Sequence, residues 1–150
     1  MKIIHKTRLL VINDDQLLVI EKIGNVKELT FPGGIKKRKE SFEQSLVRET
    51  LEEIGLRVNL NKLSHIESNA IIKALNTVIK HHFVASLKTD AFKVVETEKF
   101  KDVYWMYWKD TLPYLDKEDK KVTKKYFKKR FKKKPKPQTD ESSISPRIAM

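Results

Sequence analysis

Two runs of apolar residues open the chain, residues 2–12 and 16–21, broken by Asn13-Asp14-Asp15. Runs bounded by turn-formers read as two strands joined by a turn. Leu29 to Phe31 is a third, short stretch that leads into Pro32-Gly33-Gly34. From Ser41 the period changes. Phe42, Leu46, Val47, Thr50, Leu51 and Ile54 recur three and four apart, as on one arc of a helix. Ser41 and Gln44 form a capping-box pair at its start, and Gly55 follows the last periodic position as a stop. Beyond the helix, Arg57–Leu60, Leu63–Ile72, Val78–Leu87 and Val103–Trp108 read as strands, the third rich in β-formers. Asp110–Leu115 reads as a helical turn, and Asp116 as the cap of a second helix running to about Lys133. Strands on both sides of one helix, followed by a terminal helix, predict an α/β class with a mixed sheet sandwiched by helices.

The first helix carries an electrostatic oddity. Glu49 is three residues from Glu52 and four from Glu53, so the three carboxylates share one side. Like charges at this spacing cost about 0.2–0.5 kcal/mol per pair. Glu52 and Glu53 also lie in the last turn, where the macrodipole disfavours anions. Anions collected where they repel one another point to a bound cation, against the plainer reading of a solvated acidic face. Hard carboxylate oxygens suit Mg²⁺ or Mn²⁺, and Mg²⁺ usually bridges to substrate phosphates.

The spacing around these residues is specific. Residues 34–56, GIKKRKESFEQSLVRETLEEIGL, resemble the signature of the Nudix hydrolase family, G-x5-E-x7-R-E-U-x-E-E-x-G-U, where U is a bulky apolar residue. Gly34, Glu40, Arg48, Glu49, Glu52, Glu53, Gly55 and Leu56 match. Thr50 departs, standing where the pattern prefers an aliphatic residue. The resemblance implies a Nudix-type α/β/α sandwich with a central mixed β-sheet. It also implies hydrolysis of a nucleoside diphosphate linked to another group, with Mg²⁺ or alternatively Mn²⁺ as cofactor.

It further implies roles for particular residues. Glu49, Glu52 and Glu53 are the expected metal ligands, joined by a backbone carbonyl of Gly33 or Gly34. Glu49 or Glu53 is the expected base, and the choice between them stays open. Arg48 is expected to hold the carboxylates by a bidentate pair with a glutamate of the signature. Glu40 is expected to tie the loop to the helix or to lie near the outer metal shell. Gly33 and Gly34 are expected to let backbone approach metal and phosphate. Residues 98–105, EKFKDVYW, resemble the family's E-x-I-x-E-V-x-W run and make Glu98 the candidate further ligand, against an idle loop carboxylate. Lys36, Lys37, Arg38 and Lys39 read as a solvated basic loop. His81 and His82 are neighbours in a strand and point to opposite faces, so they do not form a ligand pair. Phe31, Trp105 and Trp108 read as core, and His5 and His65 receive no role.

Composition bounds the rest. The 150 residues suit one core, read as a catalytic domain over 1–134 with its basic C-terminal helix, followed by a disordered Pro/Ser/Lys-rich tail over 135–150. No cysteine is present, so thiolate metal sites and cysteine nucleophiles are excluded. The opening residues lack the apolar core of a signal peptide, and no apolar run approaches membrane-spanning length, so a cytoplasmic protein with no membrane partner is expected. Of the net charge of +12, residues 116–150 hold +8. Lysines interleaved with Val122, Tyr126, Phe127 and Phe131 suit a docked helix with a solvated basic face. They also suit nucleic acid through phosphate neutralisation and stacking, but Lys outnumbers Arg 26 to 6, a poor composition for specific phosphate recognition. The expected partner is a nucleotide substrate, and the assembly a monomer or homodimer. By exclusion of other subfamily marks, the substrate leans to nucleoside triphosphates, including oxidised ones. The alternative is a non-catalytic Nudix-fold module that holds RNA or nucleotide with its basic tail.

Overall fold

A computed structural model describes residues 2–132. The first two apolar runs form β1 (Lys2–Asn13) and β2 (Gln16–Lys22), turned at Asp14, whose φ is 55°. The short third stretch is β3 (Leu29–Thr30), and the helical period gives α1 (Phe42–Ile54). The capping box forms as the sequence predicts. Ser41 Oγ accepts the Gln44 N–H at 3.0 Å, and Gln44 Oε1 accepts the Ser41 N–H at 2.8 Å. Gly55 ends the helix with φ 65°, its N–H bonded to Leu51 O.

The next strands are β4 (Ser64–Ile72), β5 (Asn76–Ser86) and β6 (Phe100–Tyr107), followed by the short α2 (Trp108–Thr111) and by α3 (Lys117–Lys132). Two expectations are corrected. Arg57–Leu60 is not a strand, because Asn59 accepts the Asn61 N–H at 2.9 Å and caps a 3₁₀ turn at Leu60–Lys62. Trp108 begins a helix instead of ending a strand, where its N–H leaves the ladder for Asp15 O at 3.0 Å. Lys133, Lys134 and the tail over 135–150 lie outside the described residues.

β1 and β5 pair in parallel from Lys2↔Asn76 to Ile12↔Ser86, and the other pairings are antiparallel. The sheet runs β3-β2-β1-β5-β4, with β6 also on β2, and has helices on both faces. Both faces are buried, which is why β1 and β2 read as continuous apolar runs. Leu9, Val11, Leu18 and Ile20 pack with Leu46 and Ile54 of α1, while Leu10, Ile12, Leu17 and Val19 pack with Trp108 and Phe127. Trp108 and Phe127 stack with centroids 5.0 Å apart, so α3 docks by its apolar stripe. The exposed positions of α3 are all lysines, two of which, Lys121 and Lys125, reach Glu67 at 3.7 and 2.9 Å. Among the described residues no helix is long and apolar enough to cross a membrane.

β1 and β2 pair side by side only at Ile12↔Leu17 and Asn13↔Gln16. Beyond that they diverge, and residues 29–36 enter the gap. Leu29 and Thr30 pair with β2, whereas Pro32 O and Gly34 O accept the N–H groups of Leu9 and Thr7 at 2.8 and 2.9 Å. The glycine turn is thereby stitched into the sheet.

Thr50, the one departure from the signature, is fully buried on α1, and its Oγ1 has no hydrogen-bond partner. An orphaned buried hydroxyl costs about 1–3 kcal/mol. Thr50→Val keeps the shape and removes the hydroxyl, so urea denaturation is expected to show a gain of about 1 kcal/mol. A loss of stability would mean the hydroxyl is satisfied.

Candidate active site

Three backbone features bring the carboxylates to the glycine turn. Gly33 has φ 142°, and a Cβ there would stand 1.9 Å from Thr7 O, so no side chain fits. Its N–H, turned away from β1, donates to Glu53 Oε1 at 2.9 Å. A Cβ on Gly34 would fall 1.9 Å from Glu49 Oε2. Both glycines are therefore fixed by close approach: Gly33 to β1, and Gly34 to a carboxylate of α1. The Gly34 carbonyl already accepts the Thr7 N–H at 2.9 Å and the Thr7 hydroxyl at 3.4 Å. That leaves the Gly33 carbonyl the better placed of the two for a further ligand.

Arg48 organises the outer side of the cluster. Its Nε and Nη2 donate to the two oxygens of Glu40 at 2.5 and 3.0 Å, a bidentate pair. Its Nη1 lies 3.1 Å from Glu52 Oε1 and 3.6 Å from Glu49 Oε1. Glu40 also accepts the Lys37 N–H at 2.7 Å. The Arg48 hydrogen bond holds the Glu40 carboxyl down at about 2. One guanidinium thus links the basic loop to three glutamates of the signature.

Toward the interior the balance reverses. Glu53 is 6% exposed, and its carboxyl is pushed up to about 8. Burial is the main cause; the charges of Glu49 and Glu96 add to it, while the Gly33 N–H and Arg8 oppose it. Glu49 is raised as well, first by burial, then, against the pull of Arg48, by Glu52 and Glu96.

Glu96, unmarked in the sequence, is thus a further carboxylate whose charge acts on both Glu49 and Glu53. Glu98 is exposed on the turn over 97–99. The reason lies at the end of α1. Gly55 turns the chain away and leaves the carbonyls of Glu53 and Ile54 without helical partners. The N–H groups of Val95 and Lys93 take them at 2.9 and 3.0 Å, which sets residue 96 beside Glu53. Only this long-range capping separates Glu96 from Glu98, and a local motif does not carry it.

Among the described residues, no three His, Cys, Asp or Glu side chains gather closely enough to hold a metal ion alone. The donor set nonetheless fits a hard divalent cation that keeps waters and shares substrate phosphates. Glu96 Oε1 is buried with no hydrogen-bond partner, and Lys99 Nζ stands 3.6 Å away. Glu53 and Glu49, both raised by burial and then by neighbouring anions, would likewise gain from a cation. The histidines are engaged elsewhere. His5 Nδ1 meets His81 Nε2 at 2.9 Å, and His82 Nε2 donates to Asp119 at 2.7 Å, on opposite faces of the sheet.

The architecture, a mixed sheet between helices with a glycine turn facing a glutamate-bearing helix, is an α/β/α sandwich. The family model for the NUDIX domain matches residues 4–128, and the chain belongs to the NUDIX family, hydrolases acting on pyrophosphate bonds. No curated protein matches the chain. Similar solved structures include the ORF135 protein of E. coli, with TM-score 0.73 and 20% identity over 91% of this chain and 96% of that one. A MutT NUDIX hydrolase from Burkholderia pseudomallei superposes with TM-score 0.71 and 17% identity, covering 83% and 98%. A MutT protein from Methanosarcina mazei gives TM-score 0.69 and 18% identity over 89% and 97%. At these identities they attest the fold.

The raised Glu53 has a signed consequence for stability. Its folded value of about 8 exceeds the ordinary carboxyl value of 4.5, so the folded state binds the extra proton between those limits. Stability of the metal-free protein is therefore expected to fall as pH rises from about 4.5 to about 8, with a slope from this group of at most about 1.4 kcal/mol per unit. In EDTA, Glu53→Gln is expected to lose that part of the slope and to exceed wild type in Tm at pH 8. Parallel pH profiles for the two proteins would show that Glu53 ionises normally.

Proposed function

We propose that the chain is a Mg²⁺-dependent pyrophosphohydrolase, with Mn²⁺ able to replace Mg²⁺. Its substrate is a nucleoside diphosphate linked to a further group, and within that class nucleoside triphosphates, oxidised ones included. The products are then a nucleoside monophosphate and pyrophosphate. The observation that carries this reading is the buried Glu53, raised beside Glu49 and Glu96 and tied to the N–H of Gly33. Together these form a carboxyl-rich cluster that a divalent ion and a phosphate chain would complete. The intact carboxylates favour hydrolysis over a module that only binds RNA.

Glu49, Glu52, Glu53 and Glu96, with the Gly33 carbonyl, would hold the ion. When bound, it supplies positive charge to the phosphoryl oxygens and acidity to the attacking water. Arg48 acts as a positioning residue through Glu40, Glu49 and Glu52. Glu49 or Glu53 accepts the proton of the water as its oxygen bonds to phosphorus, and the bridging P–O bond breaks with its electron pair leaving on the departing phosphate. The narrow turn at Gly33 and Gly34 keeps side chains out of the path of the phosphates.

The test is Mg²⁺-dependent release of phosphate or pyrophosphate from a panel: normal and oxidised dNTPs, ADP-ribose, dinucleotide polyphosphates and 5′-triphosphorylated RNA. Turnover is expected on triphosphates and is expected to drop about 10²–10⁴-fold in Glu53→Gln. Glu96→Gln is expected to lose about ten-fold or more, while Glu98→Gln stays near wild type. Equal rates for wild type and Glu53→Gln would overturn the proposal, and a larger loss in Glu98→Gln than in Glu96→Gln would reverse the placement of the further carboxylate.

A further inference from the structure

The cations of β1 and β5 are arranged as awkwardly as the carboxylates of α1. Lys6 and Lys80 are directly opposed in the β1–β5 register, and Arg8 lies two residues along on the face of Lys6. Like charges opposed across a ladder destabilise it. Burial, followed by Arg8, Lys73, Lys80 and Lys22, pushes the Lys6 amine below its ordinary value.

The acids nearby are already taken. Asp116 receives Lys80 at 2.7 Å and the Asp119 N–H at 2.9 Å. Asp119, 1% exposed, receives Lys80 at 3.0 Å and His82 at 2.7 Å. Lys6, Arg8 and Lys22 have no carboxylate within 4.0 Å among the described residues. Arg8 donates from Nη1 to Thr7 O at 3.0 Å, while its buried Nε has no partner.

Arg8 and Lys22 line a cleft of about 270 Å³, together with Lys27, Glu28, Tyr114 and Asp116. With Asp116 balanced by Lys80, three cations face one carboxylate, the exposed Glu28. The cleft adjoins the glycine turn, because the backbone of Thr7 and Arg8 is what Gly33 packs against. An anion placed there would relieve repulsion among Lys6, Arg8 and Lys22 and give the planar guanidinium of Arg8 a multidentate partner.

We propose that Arg8, supported by Lys6 and Lys22, forms a phosphate-binding subsite separate from the carboxylate cluster, and that the substrate places there a phosphate other than the two it is cleaved between. The inference rests on reading the carboxylate cluster as the hydrolytic site. That phosphate is either the further member of a phosphate chain or a substituent on the linked moiety. In both cases Arg8 sets specificity without touching the attacking water.

Calorimetric titrations in EDTA isolate this subsite from any divalent ion. The probes are pyrophosphate, tripolyphosphate, AMP and adenosine 3′,5′-bisphosphate. Wild type is expected to bind tripolyphosphate about ten-fold tighter than pyrophosphate if the source is a phosphate chain. It is expected to bind the bisphosphate about ten-fold tighter than AMP if the phosphate is on the linked moiety. Arg8→Gln is expected to weaken the preferred probe at least ten-fold, and the exposed Lys22→Gln about three-fold, while Glu53→Gln does not weaken it. Equal affinities in wild type, Arg8→Gln and Lys22→Gln, or no binding of any probe to wild type, would overturn the proposal. An equal loss in Glu53→Gln would do so too, by placing the anion in the carboxylate site. Binding that survives in a protein with no turnover would leave this subsite standing while the hydrolase reading fell.

Discussion

The hydrogen bond from the Gly33 N–H to the buried Glu53 carboxyl is the contact on which the site depends. It joins the two structures that matter, a turn stitched into β1 and a helix packed on one face of the sheet. Both partners are anchored. Thr7 and Leu9 fix the turn from one side, and the apolar stripe of α1, through Leu46 and Ile54, fixes the helix from the other. The cost is a carboxyl group taken out of water, whose value rises to about 8. A cation is the natural remedy, since removing the charge altogether would leave the backbone N–H with a weaker acceptor.

Charge is segregated around that contact. Arg48 and Glu40 neutralise the outer side of α1, so that repulsion concentrates inward on Glu49, Glu53 and Glu96. Across the glycine turn the sign inverts, with Lys6, Arg8 and Lys22 beside a cleft. An elongated phosphate compound would meet the carboxylate cluster at one end and cationic side chains at the other. Electrostatic preorganisation of this kind acts before any bond changes.

Much of this was legible in the sequence, for reasons that can be located. Continuous apolar runs in β1 and β2, the box at Ser41 and Gln44, and Gly55 are local signals, and each specified its element. The spacing of Glu49, Glu52 and Glu53 likewise follows from the helix period. What the sequence could not show was one local competition and several distant partners. Asn59 captured the Asn61 N–H and ended a predicted strand. The position of Glu96 beside α1 depends on carbonyls at the end of that helix, some forty residues earlier in the chain. The cationic group is not a local pattern: Lys6, Arg8 and Lys80 are scattered in sequence and meet through the β1–β5 register, with Lys22 acting on Lys6 from β2.

The most direct test of the central claim is the affinity of Mn²⁺, followed by its electron paramagnetic resonance signal, for wild type and for Glu49→Gln/Glu53→Gln. If the inward carboxylates form the cation site, wild type will bind Mn²⁺ more tightly as pH rises through about 8, the double variant will bind at least ten-fold more weakly, and Mg²⁺ will compete. Equal binding by the two proteins would contradict it, and would mean that the burial of Glu53 serves the fold alone.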